Sequence, residues 1–289
     1  MNYVIEIAFQ LCIYASVLIS LDFILGKAGL LSAAQAAVYG TGAYVSGIVA
    51  IRAGGGFFTG LCLAVVAGAI FCPMLAYVSL RVSDEALVLV SLAFQLIWSE
   101  LIVNLADLTG GPMGLRGITN SQVFGISIDN PGGGLIFAAM FLAVTLLVSA
   151  RTEASPFGRA LRAARESSEF LAACGKESIK TKAQAFSLAG MIAAGAGCLY
   201  ARHAGYISPG SFELGESIRM VTALILGGLD SRRGPIAGAI VLIGLPEALR
   251  FLGLSGPLAA NLNQVIYAAI LIALLIIRPK GLWGRYAIK

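Results

Sequence analysis

The sequence predicts an all-α, polytopic transmembrane bundle of eight or nine spans, built as one domain over residues 1–289. Three observations carry that prediction. Of the 289 residues, 58% are hydrophobic and 12% charged, against about 45–50% and about 25% in an average globular chain. A water-soluble fold has no room to bury that excess. Apolar runs near the roughly 20 residues that cross a bilayer core recur along the whole chain. One long polar island, 151–182, interrupts them.

The first apolar run, 4–25, has no basic leader and is longer than the apolar core of a cleavable signal, so it is expected to be kept as a span ending before Lys27. The second, 34–51, is rich in small residues and closes at Arg52 and a glycine turn at 54–56. The third, 57–80, stops at Arg81, Asp84 and Glu85, and the fourth is 87–105. A glycine-rich connection, 106–134, punctuated by Asp129-Asn130-Pro131, leads to the fifth, 135–150. After the island come a sixth run, 183–201, and a polar loop, 202–215, holding the single histidine, His203. The seventh segment, 217–228, is short for a span and reads as either crossing or re-entrant. A charged turn at 230–234 precedes the eighth and ninth runs, 235–251 and 259–277, and a basic tail, 278–289.

Charge orients these segments. Seven of the 20 Lys and Arg residues lie in the island: Arg151, Arg159, Arg162, Arg165, Lys176, Lys180 and Lys182. With the island inside, the inner connections hold fifteen basic residues and the outer ends hold five, namely Arg52, Arg116, Arg202, Arg219 and Arg250. Basic excess marks the cytoplasmic side. The N-terminus is therefore expected outside and the C-terminus inside. The net charge of +5 is topological on this reading and implies no nucleic-acid partner; the lipid bilayer is the first partner.

Small residues recur at helical spacing: Ala185, Ala189, Ala193 and Gly197 in the sixth run, Gly40, Ala43, Gly47 and Ala50 in the second. They read as close-packing stripes before they read as a substrate path. Ionisable residues inside spans are functional candidates by default. Glu247 has Arg250 at i+3 and is expected to pair with it. Glu100 lies toward an outer end, at the interface or on substrate, and Asp22 is an end-of-span charge beside Lys27. His203 has no matching cysteine or carboxylate arrangement. Cys12, Cys62, Cys72, Cys174 and Cys198 show neither paired nor metal-ligand spacing. Phosphate-loop, HExxH and GxSxG patterns do not occur, so no enzyme chemistry, catalytic residue, cofactor or metal is expected in this chain.

Within the island, 157–174 is predicted helical, opened by Ser155-Pro156 and closed by Gly175. Phe157, Ala160, Leu161, Ala164 and Leu171 form an apolar stripe, with Arg162, Arg165, Glu166 and Glu169 facing elsewhere. Two coverings for the stripe are open, lipid headgroups or a groove on a cytoplasmic protein.

Several spaced stretches resemble the permease subunits of bacterial branched-chain amino-acid ABC importers. They are Gly26-Lys27-Ala28-Gly29-Leu30-Leu31-Ser32 with Gly40-Thr41-Gly42-Ala43-Tyr44, and Leu108-Thr109-Gly110-Gly111-Pro112-Met113-Gly114-Leu115-Arg116-Gly117-Ile118. Next come Gly158-Arg159-Ala160-Leu161-Arg162-Ala163-Ala164-Arg165-Glu166 and Ala172-Ala173-Cys174-Gly175. Ser208-Pro209 with Phe212, Leu226-Gly227-Gly228-Leu229, Gly234-Pro235 and Gly238-Ala239 complete the set, in order, over nearly the whole chain. The Thr-Gly-Gly loop is similar to that of the M-type subunit.

The resemblance implies the ABC importer permease fold, a bacterial inner-membrane location and a branched-chain, hydrophobic amino acid as cargo. It also implies a second permease subunit in a heterodimer, two ATP-binding subunits that carry the ATP and Mg, and a periplasmic substrate-binding protein. It places Arg162, Arg165, Glu166, Ala172 and Gly175 in the helix that docks on the ATPase. The stretch 171–174 has no acidic residue at or beside Ala172, where many relatives carry one, so no salt bridge is assigned there. Ser32, Gln35, Thr41 and Glu100 are the candidates for the translocation path. Related permeases carry urea, simple sugars or nucleosides, which is the runner-up cargo. A secondary transporter is a further class, and neither internal repeats nor a midplane ionisable pair support it.

Overall fold

The computed structural model describes residues 2–79, 84–118, 122–123, 126–128, 130–251, 269 and 281–284. Helix α1 (Asn2–Asp22) runs directly into a π-helical turn, Phe23–Lys27. An irregular stretch, 28–34, turns the chain into α2 (Gln35–Ala53), and α3 (Phe57–Ser79) and α4 (Asp84–Asn104) follow. The glycine-rich connection folds into α5 (Ala106–Thr109), β1 (Leu115–Arg116) and a small hairpin of β2 (Gln122–Val123) with β3 (Ile126–Ser127). Helix α6 (Pro131–Ala154) reaches the island, which forms α7 (Pro156–Glu166) and α8 (Ser168–Ala173). Then come α9 (Ser178–Ala204), β4 (Tyr206–Ile207), α10 (Leu214–Gly227) and α11 (Gly234–Phe251).

Among the described residues, 5 helices are long and apolar enough to cross a membrane: Tyr3–Lys27, Phe57–Tyr77, Ala86–Asn104, Pro131–Ala154 and Ser178–Ala204. The chain is an all-α polytopic membrane protein. The ninth expected run, 259–277, lies outside the described residues apart from 269. Runs 135–150 and 183–201 understate their helices, which continue through Arg151, Thr152 and Glu153 and begin at Ser178. Backbone hydrogen bonds carry a helix past the point where its apolar residues end. For the same reason Arg202 and His203 are not in a loop; they form the last turn of α9, which stops at Gly205 with φ 65°.

The ends of the bundle sort by charge. Lys27, Glu153, α7, α8 and Asp230 meet at one end. Leu282 and Trp283 return there, donating backbone N–H groups to the Leu226 and Gly227 carbonyls at 2.8 and 3.0 Å. At the other end β1 pairs with β4, Leu115 opposite Ile207, and His203 meets Glu6 at 2.9 Å. Connections that the charge count placed on the same side share an end; Arg219, counted with the outer cations, lies instead within α10.

Helix α9 occupies the centre, with Ala185, Ala189, Ala193, Ala194 and Cys198 all buried. Two crossings require glycine. A Cβ on Gly190 would lie 2.1 Å from the Gly68 carbonyl oxygen, and one on Gly197 would lie 2.0 Å from that of Tyr39. The small-residue stripe of α9 is therefore a packing seam against α3 and α2. On the outside, Val66, Ile70 and Met74 of α3 and Ile136, Met140, Val144 and Leu147 of α6 are exposed at helical spacing. That is the apolar surface a bilayer covers.

The short seventh segment covers only part of the depth of the bundle. Helix α10 has 14 residues, about 21 Å at 1.5 Å per residue, short of the roughly 30 Å core. The outer part of the path is a 3₁₀ turn, Pro209–Phe212, that dips inward from β4 and buries Phe212 completely. The helix then ends at the inner side, where the Asp230 N–H bonds to Asp22.

Candidate functional site

Two polar systems lie within the bundle. The inner one centres on Lys27, which is 1% exposed. Its ammonium is 3.4 Å from Glu153 and 3.8 Å from Asp22, donates to Ser149 Oγ at 3.0 Å and lies 4.0 Å from the Phe23 ring centroid. A buried ammonium needs partners of this kind to offset its lost hydration. Glu153 also accepts from Arg232 at 2.6 Å, and Asp22 Oδ1 accepts the Asp230 backbone N–H at 2.9 Å. Asp230, with φ 52°, presents its carboxylate to Arg162 at 3.3 Å. The ends of α1 and α6, the helix α7 and the α10–α11 turn thus share one charge network. A cleft of about 560 Å³ opens beside it, between Arg162, Arg232, Arg233 and Trp283.

The island is anchored to that network from above. Ser155 Oγ accepts from the Gly158 N–H at 3.1 Å, and Pro156 occupies the first turn, so α7 starts where the sequence placed it. The single predicted helix 157–174 is broken. Ser167 is extended and its Oγ caps a new helix, α8, by accepting from the Phe170 N–H at 3.1 Å. Gly175 closes α8 with φ 75°. The apolar stripe needs neither lipid nor a partner's groove: Ala160, Leu161, Ala164 and Leu171 are buried against this chain. Arg162 and Arg165 also turn inward, Arg165 donating to the Gly26 carbonyl. What faces out is Glu166, Ala172, Gly175 and Phe170, the last 64% exposed.

The second system is uncharged and lies deeper, around the start of α2. The first N–H groups of a helix lack carbonyl partners within it, and here side chains of other helices supply them. Ser91 Oγ accepts from the Ala33 N–H at 3.0 Å, Ser217 Oγ from Ala36 at 2.8 Å and Gln95 Oε1 from Ala37 at 2.9 Å. Gln35 Nε2 donates to Ser20 Oγ at 2.6 Å. Gln95 Nε2 donates to the Phe212 carbonyl at 2.8 Å, and Trp98 Nε1 to Thr41 Oγ1 at 3.0 Å. Toward the outer side, the rings of Tyr39, Tyr44, Trp98 and Tyr200 surround Phe212 with centroids 5.3–6.1 Å away. No nucleophile and base meet in this centre, and no three potential metal ligands cluster among the described residues. Its chemistry is positional: it holds α1, α2, α4 and α10 in register.

A family model described as the permease component of branched-chain amino acid transport systems matches residues 3–275. The chain belongs to that family. The permease component is 28% identical to the high-affinity branched-chain amino acid transport system permease protein LivM of Salmonella typhimurium, over 96% of this chain and 69% of that protein. It is 29% identical to LivH of Escherichia coli K12, over 94% of this chain and 91% of that one. A shorter match, 32% identical over 52% of this chain, is to BraD of Pseudomonas aeruginosa, covering 47% of it. No solved structure gives a significant match.

In the permease component, the predicted path residues separate. Ser32 and Gln35 are buried in the polar centre and Thr41 joins it through Trp98. Glu100 does not; it is exposed near the outer end of α4, away from the face that carries Gln95. Glu247 accepts from Tyr3, and the Arg250 side chain lies outside the described residues. Asp22 does end α1 beside Lys27, and it is a buried member of the Lys27 network. Arg202, counted as a loop cation, is fully buried and donates to Ser46 Oγ at 3.1 Å and to the Gly55 and Gly56 carbonyls at 3.0 and 3.2 Å. Gln95, Ser217 and Asp230 escaped sequence reasoning. Ser91, Gln95 and Trp98 did carry a signal, a polar i, i+4, i+7 face within an apolar run. Asp230 carried none, because its partners Asp22 and Arg162 are distant in sequence.

Proposed function

We propose that this permease component is the membrane-spanning subunit of an ATP-driven importer of branched-chain amino acids in the bacterial inner membrane. It crosses the membrane eight or nine times and works with a second permease subunit, two ATP-binding subunits and a periplasmic binding protein. It has no catalytic site of its own, and ATP and Mg act on the partner subunits. LivM and LivH are named for branched-chain amino acid transport, and that supports the cargo.

The observation that carries the coupling role is the exposed edge of α7–α8. Phe170, Glu166, Ala172 and Gly175 project from the inner end, while Leu161, Arg162 and Arg165 lock the underside to the bundle. Force on that edge reaches Asp230 and the Asp22–Lys27 pair through direct contacts, and α1 and α10 carry it on to the polar centre.

Removing the whole island helix would also remove buried Leu161 and Leu171, so a point change is the cleaner test. Phe170→Asp should weaken ATPase association by about 2 kcal/mol, the scale of an interface hot spot, while membrane levels stay unchanged. Co-purification of the ATPase subunit measures it, and undiminished recovery would remove the docking role. Uptake of radiolabelled leucine, isoleucine and valine by vesicles holding the whole complex tests the cargo. No uptake of any of the three would end that assignment.

A further inference from the structure

Helix α10 starts at mid-depth. Ser217 bonds to Gln95 at 3.3 Å, and Gln95 is near the midpoint of α4, Asp84–Asn104. Two residues further on, the Arg219 side chain is 60% exposed, and Ile218 beside it is 53% exposed. About half of a roughly 30 Å hydrocarbon core separates that depth from either headgroup layer. A guanidinium placed there faces protein or water, not lipid chains. The other charges of the described spans are covered or near an end: Asp22 and Lys27 are buried, and Glu100 lies close to the last turn of α4.

Arg219 is held from one side. It pairs with Glu216, whose side chain is 8% exposed and accepts from Tyr14 Oη at 2.7 Å. A guanidinium has five N–H donors in a planar fork, and one carboxylate leaves several of them to bind another. Gly215, one turn back on the same face, is exposed and has nothing within 4 Å of where a Cβ would stand. Ile218 supplies aliphatic surface beside the charge.

We infer that the α10 face bearing Gly215, Ile218, Arg219 and Thr222 lines the translocation path opposite the second permease subunit, and that Arg219 binds the carboxylate of the transported amino acid. The carboxylate part rests on the cargo proposed above; the path part does not.

The test uses the assembled complex in proteoliposomes, with the exposed Cys62 and Cys174 replaced by serine. Arg219→Cys and Thr222→Cys are treated with a membrane-impermeant maleimide, without nucleotide and after ATP-vanadate trapping. A water-filled path labels at least one of the two positions above the parent in at least one state. No labelling of either position in either state overturns the path, whatever the cargo. Thr222→Cys keeps this reading available should the arginine variant fail to assemble. Arg219→Gln should lower leucine uptake at least tenfold while binding-protein-stimulated ATP hydrolysis persists, and Arg219→Lys should recover part of the loss. Uptake by Arg219→Gln at the parent rate would overturn the carboxylate role. If the parent complex moves none of leucine, isoleucine and valine, the cargo assignment fails and labelling alone decides the path.

Discussion

Lys27 shows how much one side chain demands of its surroundings. Its charge stays buried because Asp22, Glu153 and Ser149 all face it. Lys27→Met would leave Asp22 without its cation and Glu153 with Arg232 alone, a loss of about 3–5 kcal/mol for a broken buried pair. The expected result is a clearly lower thermal unfolding midpoint for the purified protein in lipid nanodiscs. Adding Asp22→Asn to that variant should recover part of the loss, since it removes one uncompensated charge. Equal midpoints for Lys27→Met and the parent would show that the network contributes nothing. In the sequence, Asp22 and Lys27 were legible as charges at the end of a span. Their burial was not, because it depends on α6 and on the α10–α11 turn, far along the chain.

At the scale of elements, the α3–α9 crossing depends on two facing glycines. A Cβ on Gly68 would meet the Gly190 carbonyl oxygen at 2.2 Å, and the reverse distance is 2.1 Å. Gly190→Val must push the helices apart, and overpacking of this kind costs about 1–3 kcal/mol. Gly132→Ala, where nothing lies within 4 Å of the new Cβ, should stay within about 0.5 kcal/mol of the parent. Unfolding midpoints of the two variants check the contrast, and equal effects would refute it. The seam was legible because Ala185, Ala189, Ala193 and Gly197 repeat at the period of a helix. The break at Ser167 was not legible, because the apolar stripe ran straight past it. Burial of Leu161 and Leu171 in the same chain covers the stripe without a partner.

The whole molecule has two chemically different ends, and sidedness follows from them. In intact cells a membrane-impermeant thiol reagent should label Gly54→Cys, in the turn after α2, and spare Arg159→Cys in α7. Inside-out vesicles should reverse the pattern, and labelling of both from one side would refute the topology. Membrane class, the grouping of charged connections at two ends and the start of α7 were legible in the chain. Hydropathy, charge and capping are local quantities, and adding them along a sequence loses nothing. The polar centre, the seating of Phe212 and the Lys27 network were decided only on folding. Each rests on pairs such as Lys27–Ser149, Gln95–Phe212 and Asp22–Asp230, which are 122, 117 and 208 residues apart. A contact at that separation leaves no periodicity in either partner's neighbourhood, so the packed bundle alone determines it.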